Sequence, residues 1–174
     1  MPNNKITFGL RNVHYAIANQ DNNGNWSFDT PVALQGAQEF SSEVVGGSTN
    51  VSADDTLYAS LVQNAGRTLT LKFTEIPDEF KTAVLGYKRL ANGNLVEIAN
   101  APVVTFALGF EFQGDAKARR VWYYLCSVTL NITARPIEVG DDLITNCVSA
   151  KGDSNYTNFL TTAPVIPEIP ASNP

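Results

Sequence analysis

The sequence predicts a mainly β fold, and three observations lead to that prediction. Large apolar residues alternate with small or polar residues along most of the chain, which is the period of strands that bury one face. The chain is 44% hydrophobic and only 17% charged, so it can form a core and is not disordered. Helical spacing is found in one segment, at about residues 77–85. We therefore expect mostly strands and a single flanking helix.

The opening of the chain predicts strands joined by a tight turn. Apolar residues alternate over 6–10 and again over 13–17, which indicates two short strands or one strand with a bulge. Residues 21–25, Asp-Asn-Asn-Gly-Asn, are typical of a turn, and Trp26 and Phe28 resume a strand behind it. The turn is not expected to bind calcium, because its glycine stands fourth instead of sixth and no glutamate follows at the twelfth position.

Residues 41–56 differ from the rest of the domain. They are mostly small and polar, include two adjacent glycines and cannot bury much surface. A stretch of this length in a compact domain predicts a long flexible loop or hairpin, which is either functional or disordered. Strand alternation returns at 57–62 and at 68–74, where Leu69 and Phe73 lie on one face.

The segment at about residues 77–85 predicts the helix. Pro77 stands near its start, Asp78 and Glu79 fall in its first turn, and Gly86 follows its last turn, as expected at helix ends. Its apolar residues form one stripe, which predicts that the helix packs flat on a sheet. The stripe consists of Ile76, Phe80, Ala83, Val84 and Tyr87.

Two strands between residues 103 and 132 are expected to form the centre of the core. From Val103 to Phe112 the even positions are large and apolar, and from Arg120 to Ile132 the even positions again collect the bulk. Paired as a hairpin, the two strands would bring Trp122 and three phenylalanines to one face. Tyr123 and Leu125 would then point to a wetter face, and something must cover part of that face.

The end of the chain predicts weaker elements. Short strands are expected near 137–139 and 145–150, where the alternation is less regular. Repeated prolines and a lack of bulky residues then predict an extended tail. The chain is therefore divided into a single domain at 1–162 and a Pro-rich tail at 163–174.

Charge and motifs argue against nucleic-acid binding and against catalysis. The net charge is −5, with an excess of acids in the first part of the chain, whereas phosphate binding needs a basic surface. The only histidine, His14, has no nucleophile or metal-ligand pattern around it. The acid pairs Asp54-Asp55 and Asp141-Asp142 lie in polar turn sequence and are expected to be solvated. We therefore expect no enzyme activity, no catalytic residue, no metal site and no cofactor.

The compartment and the state of the cysteines follow from simple patterns. The start of the chain has no apolar stretch, and nowhere do about 20 apolar residues follow one another, so neither a signal peptide nor a membrane helix is expected. The protein is thus expected to be made and kept soluble in a cytoplasm.

Cys126 stands among apolar positions and is expected to be a small buried residue. Whether it pairs with Cys147 is left open by the sequence.

Short motifs spread over nearly the whole chain form a recognisable set. They are Phe8-Gly-Leu-Arg-Asn-Val-His-Tyr-Ala16, Ala53-Asp54-Asp55 before Tyr58, Asn64-Ala-Gly66, Ile76-Pro-Asp-Glu-Phe80, Leu85-Gly86, Asn92-Gly93, Ala107-Leu-Gly-Phe-Glu-Phe112 and Arg119-Arg-Val-Trp-Tyr-Tyr124. In order and spacing, this set resembles the major tail proteins, or tail tube proteins, of siphophages, and in particular the phi13-type family. The chain departs from that family in having Asp54-Asp55 where Asp-Asn is more usual, and it is expected to lack the additional C-terminal immunoglobulin-like domain that some relatives have.

The resemblance implies a fold, a location and a set of partners. It implies a β-sandwich or barrel-like tail-tube fold, and subunits that form hexameric rings stacked into a hollow tube. It further implies a virion tail as the destination of a protein made in the bacterial host cytoplasm. The expected partners are other copies of the chain, a tape-measure protein, and the tail terminator and tail-tip proteins. DNA would pass through without specific binding, and no membrane would be involved.

The candidate residues for contacts between subunits follow from this resemblance together with the predicted loop. They are Glu43, Val44, Val45, Asn50, Val51, Asp54, Asp55, Tyr58, Tyr123, Leu125, Arg119 and Arg120. The alternative function is a β-sandwich binding module that recognises carbohydrate, with Trp26, Trp122 or Tyr123 as a stacking platform.

Overall fold

A computed structural model of the protein describes residues 8–53, 56–62, 66–98, 100–113, 120–128, 141–148, 159 and 161–168. The fold is mainly β, as the sequence predicts. The strands are β1 (Phe8–Gln20), β2 (Trp26–Phe28), β3 (Val32–Ala33), β4 (Ala37–Val45), β5 (Ser48–Ala53), β6 (Thr56–Val62), β7 (Gly66–Phe73), β8 (Tyr87–Arg89), β9 (Leu95–Glu97), β10 (Thr105–Gln113), β11 (Arg120–Val128) and β12 (Asp141–Val148), and the helix is α1 (Asp78–Ala83).

Eight strands form one antiparallel sheet in the order β2-β1-β10-β11-β12-β7-β4, with β3 paired to β1 beside β2. The predicted central hairpin is confirmed, because β10 pairs with β11 from Thr105 opposite Ser127 to Glu111 opposite Arg120. The opening segment is a single strand with bulges, and Asn12 in the second bulge has a positive φ of 54°. The turn at residues 21–25 connects β1 to β2, as expected.

The main sheet folds back over itself and encloses an inner core. Phe40 lies on β4, four places from β10 in the sheet order, yet its ring centroid is 4.7 Å from that of Phe110. Phe40 also lies 6.0 Å from Tyr123 of β11, so strands that are distant in the sheet face each other. The predicted alternation is confirmed on β7 and β10, which each contribute three fully buried apolar residues to this core. They include Leu69, Leu71, Phe73, Phe106, Leu108 and Phe110.

The predicted helix is confirmed and packs over part of the inner core. It spans Asp78–Ala83, slightly less than the predicted segment, and Gly86 follows it with φ +74°. Phe80 is 1% exposed and meets Tyr15 edge to face, with ring centroids 4.9 Å apart. Ala83 is exposed, so the buried stripe is narrower than predicted.

Residues 41–56 are not an irregular loop where the structure describes them. Residues 41–45 belong to β4 of the main sheet, and residues 48–53 form β5, which pairs with β6 in a separate two-stranded sheet. Of the two predicted forms of this segment, a hairpin and a loop, the structure therefore shows the hairpin. Small polar side chains are compatible with strands when those strands lie at an edge or outside the core, where little burial is required.

Strand β11 contains a bulge that reverses the predicted faces of its side chains. Leu125 has a positive φ of 45°, and the pairing between β10 and β11 shifts register at this end of the strands. Before the bulge, Tyr123 contacts the inner core, whereas Trp122 packs on the opposite side of the sheet. After the bulge, Cys126 faces the inner core. The prediction of one continuous even-numbered face is therefore wrong, because one extra residue shifts a period of two.

The opposite side of the sheet is covered by the end of the chain, as the prediction of a partly covered second face requires. We call Phe159 and residues 161–168 the strap. Phe159 stacks on Tyr124, with centroids 5.1 Å apart, and is 5.2 Å from Phe28. Ile166 is 1% exposed and lies over Gly109, where an added Cβ would be 2.7 Å from its terminal methyl group. Residues 163–168, which the sequence assigns to the tail, therefore include side chains that pack on the sheet, and the boundary at residue 162 stays a prediction.

Cys126 and Cys147 face each other on β11 and β12 and form a disulfide. Both residues are buried, at 0% and 5% exposure. The expectation that Cys126 is buried among apolar residues is therefore confirmed, and the bridge left open by the sequence is present. The bond joins two neighbouring strands near the middle of the main sheet.

We expect this bond to be complete in protein isolated without reductant, because disulfides persist outside a reducing cytoplasm. Protein unfolded in denaturant should then take up no iodoacetamide, and should take up two adducts per chain after reduction, since the chain has two cysteines. Mass spectrometry of the intact chain measures both states. Alkylation of denatured protein before any reduction would contradict the expectation.

Several predicted features lie outside the described residues. They are the strand at 137–139, the acids Asp54 and Asp55, and Arg119. Within the part of the chain that the structure describes, no helix is long and apolar enough to cross a membrane.

Candidate assembly surface

Strand β4 is the edge strand at one end of the main sheet. It pairs along its whole length with β7, from Ala37 opposite Phe73 to Val45 opposite Gly66. Among the described strands, none pairs with its other side. A nine-residue edge strand of this kind presents a row of unpaired N–H and C=O groups, which is a template for pairing with another chain.

The second half of β4 is exposed on both of its faces. Val44 is four residues after Phe40 and therefore lies on the same face of β4. It is nevertheless 54% exposed, so the inner core does not reach this end of the strand. Val45 points to the opposite face and is 48% exposed. Glu43 is the only charged side chain in residues 41–45. We call residues 43–45 the edge segment.

The first half of β4 is better protected. Lys72 forms an ion pair with Glu39 at 3.0 Å, and Gln38 donates a hydrogen bond to the Thr74 hydroxyl at 3.1 Å. The ion pair is exposed and contributes little stability, but its charges disfavour uncontrolled strand pairing at this position. The less protected half of the edge is therefore the half that leads into residues 46–62.

Strands β5 and β6 form a hairpin that we call the arm. Gly46 and Gly47 connect β4 to the arm, and the sheet pairing ends with Val45 opposite Gly66. Both ends of the segment that contains the arm therefore meet the main sheet at the same place, at Val45 on β4 and at Gly66 opposite it on β7. A two-stranded hairpin is at best marginally stable alone in water, so a partner surface would stabilise it. Three predicted contact residues, Asn50, Val51 and Tyr58, belong to its strands.

A groove of about 480 Å³ lies beside the first half of β4. It is bounded by the start of β1 on one side and by residues 38–41 on the other, and its apolar lining comes from Leu10, Phe40 and Phe112. No ladder joins β1 to β4 in the described part of the sheet, so the folded-over sheet is not closed here. The open seam and the edge strand form one continuous feature of the surface.

Three predicted contact residues lie elsewhere. Tyr123 packs in the inner core, and Leu125 is 7% exposed beside Phe159 in the apolar cluster under the strap. Arg120 donates a hydrogen bond from Nε to Glu111 at 2.8 Å. These three side chains have intramolecular contacts and lie outside the candidate assembly surface described above, and their role in contacts between subunits stays a prediction. The bulge at Leu125 explains the first two cases.

Glu111 is the centre of a charged network that sequence reasoning missed. It is 2% exposed, and it also accepts a hydrogen bond from Asn12 at 3.2 Å and pairs with Arg11 at 3.4 Å. Burial raises the pKa of Glu111, but the hydrogen bonds from Arg120 and Asn12 and the charges of Arg120 and Arg11 outweigh burial and lower that pKa below its ordinary value. The sequence does contain a signal for this network, because Glu111 is a carboxylate between Phe110 and Phe112 in an otherwise apolar strand.

The same network attaches the strap to the sheet. Asn12 donates a hydrogen bond to the Pro167 carbonyl at 2.8 Å, and Nη2 of Arg120 lies 3.5 Å from Glu168. Each side chain therefore contacts both Glu111 and the strap. The carboxylate of Glu111 thus links β10 to β1 and β11 and, through Asn12 and Arg120, to the strap.

The fold and the surface together define a mainly antiparallel β protein with an open sheet edge and a projecting hairpin. Comparison with known proteins adds no identification, because no protein-family model matches the chain and neither a curated protein nor a solved structure matches it significantly.

Proposed function

We propose that the protein is a structural subunit of a siphophage tail tube and that it has no enzyme activity. The subunits assemble as stacked rings, hexameric by the sequence resemblance, around a tape-measure protein and form the conduit for DNA ejection. One observation supports this most directly: an edge strand, β4, that no described strand pairs on its outer side leads through Gly46 and Gly47 into the arm. This arrangement is suited to repeated self-association.

Two physical arguments connect the surface to a tube. An open sheet edge is satisfied when a neighbouring copy covers it, and a contact between two different surfaces of the same chain is head-to-tail, which generates rings when the rotation closes. The arm then has a partner on the next copy or the next ring, and it gains stability by folding against that partner. The tail terminator and tail-tip proteins would occupy the two ends of such a tube.

The net charge of the chain fits a conduit. At −5 per chain, repeated in every copy, the tube repels phosphate groups and does not retain passing DNA. In this proposal the protein is made in the host cytoplasm and ends in the virion tail.

The carbohydrate-binding alternative lacks a supporting observation. Trp26 and Trp122 pack against the apolar cluster under the strap, and Tyr123 contacts the inner core. A stacking platform needs an exposed aromatic face, and these rings already have intramolecular partners. We therefore do not adopt this function.

Removal of the arm tests the proposal. Because Val45 and Gly66 are opposite each other, residues 46–65 can be replaced by Asn-Gly, which closes two-residue hairpins. We expect this variant to keep its circular dichroism spectrum and cooperative unfolding but to form no tubes. Negative-stain electron microscopy and light scattering at rising concentration compare it with the full chain, for which we expect rings or tubes.

A point substitution provides a matched control. Val44→Lys places a charge on the open edge and should reduce assembly, whereas Val165→Lys places the same charge at a valine of the strap that is 77% exposed. Equal assembly of the arm-deleted variant and the full chain would contradict the role of the arm. A full chain that stays monomeric at every concentration while binding an immobilised glycan would favour the alternative function.

A further inference from the structure

The hairpin formed by β8 and β9 presents an exposed apolar face. Lys88 is opposite Val96. Leu90 is two residues after Lys88, towards the turn, and Ile98 is two residues after Val96, away from the turn, so the period of two assigns all four residues to one face. The three aliphatic side chains are 41–46% exposed. Tyr87 and Leu95, at the alternate positions, are half-buried.

This face has an unusual composition for solvent exposure. Three exposed aliphatic side chains and one lysine occur on a short hairpin, and exposed apolar surface of this kind commonly marks an interaction site. Lys88 has no ion-pair partner among the described residues, whereas its neighbour Arg89 pairs with Asp78 at 3.1 Å. The face therefore combines apolar contact area with one unpaired positive charge.

The edge segment has the complementary composition. Val44 and Val45 are each about half exposed, and Glu43 beside them has no ion-pair partner in the described part of the chain. By the alternation of a strand, Glu43 and Val45 share one face of β4, and Val44 lies on the other. One exposed valine therefore accompanies the unpaired negative charge on β4, and three aliphatic side chains accompany the unpaired positive charge on the hairpin. Both surfaces belong to the same chain, so every copy has both halves of such a contact.

We propose that the β8–β9 face of one copy docks on the edge segment of a second copy, with Lys88 facing Glu43. The contact joins two different surfaces, and it is therefore head-to-tail and repeats from copy to copy. Apolar contact supplies most of the affinity, and the charge pair fixes the orientation and increases the association rate. This inference rests on the proposed function, and it names the partner surface of the edge segment.

Charge reversal tests the contact. Lys88→Glu and Glu43→Lys each place two like charges together, so we expect either variant to raise the concentration at which assemblies appear by about tenfold. The double variant Lys88→Glu/Glu43→Lys restores the attraction and should assemble within about twofold of the unmodified chain. Sedimentation and light scattering measure the threshold concentration, and thermal unfolding verifies that each variant is folded.

A control and the salt dependence separate this contact from a general charge effect. Glu75→Lys changes the net charge by the same amount as Glu43→Lys, at an exposed residue outside both surfaces, and should leave the threshold unchanged. Added salt should reduce the difference between the single variants and the unmodified chain, since exposed charges are screened.

The outcomes distinguish the two proposals. If the unmodified chain assembles but the single reversals assemble equally well, the docking inference is wrong and the proposed function stands. If the single reversals are impaired and the double variant does not recover, the pairing of Lys88 with Glu43 is wrong. If the unmodified chain forms no oligomer with or without a tail-tip complex, the proposed function fails and the docking inference fails with it.

Discussion

Replacing Phe80 with alanine is expected to lower the free energy of unfolding by about 3–5 kcal/mol, the usual cost of truncating a fully buried phenylalanine. The side chain is 1% exposed and meets the rings of Tyr15 and Phe106 edge to face, at 4.9 and 5.8 Å. It is the main contact between α1 and the inner core, so its loss leaves a cavity beneath the helix. Urea unfolding followed by circular dichroism measures the change.

Glu79→Ala is the matched control for this substitution. Glu79 is the adjacent residue on the same helix but is exposed, so its removal should change stability by no more than about 0.5 kcal/mol. A similar loss of stability in both variants would indicate that helix α1, rather than the packing of Phe80, determines the result.

Replacing Glu111 with alanine is expected to destabilise the protein by about 3 kcal/mol. The substitution leaves Arg11 and Arg120 close together without the carboxylate that they share, and breaking a buried charge pair typically costs about 3–5 kcal/mol. The lower end of that range applies, because both guanidinium groups keep partial access to water. Since Asn12 and Arg120 also bind the strap, we further expect faster proteolysis of residues 159–168.

The contribution of Glu111 depends on pH in a defined direction. The pKa of its carboxyl in the folded protein is lower than the ordinary value of 4.5, so the folded state favours the ionised form. The stabilisation is complete above that ordinary value and is lost as the pH falls through the lower, folded-state pKa. The stability difference between the unmodified chain and Glu111→Gln should therefore have its full size at about pH 7 and shrink steadily as the pH falls below 4.5. A constant difference across this range would contradict the assignment.

The sequence was sufficient to predict the elements in which local pattern and tertiary environment agree. Leu69, Leu71 and Phe73 alternate with polar residues and lie fully buried on β7, because one face of that strand meets the core. The helix was predictable for a similar reason, since Pro77 and Gly86 mark its ends. In these elements, the residues that the sequence period assigns to the buried face are the ones that the structure buries.

Other features depend on contacts between distant segments and could not be predicted locally. The bulge at Leu125 exchanges the two faces of β11, and no residue type at that position indicates it. The strap covers the sheet through Ile166, which fits because Gly109 has no side chain. For the assembly surface, the composition of residues 41–56 singled out Glu43, Val44 and Val45 as candidates, but their position on a sheet edge required the strand order.

The path of the chain has a consequence for how the protein is made. Strand β1 pairs with β10, so Phe8 meets Gln113, and Asn12 binds Pro167 across 155 positions of sequence. Folds with many such distant contacts form on a scale of about milliseconds to seconds, far more slowly than helical bundles. At a synthesis rate of about 5–20 residues per second, β1 leaves the ribosome on the order of 5–20 s before β10 exists. Until then, β1 can pair only with β2 and β3, and its longer edge towards β10 has no partner. We therefore expect chaperones that cover this edge during translation to raise the yield of folded subunit.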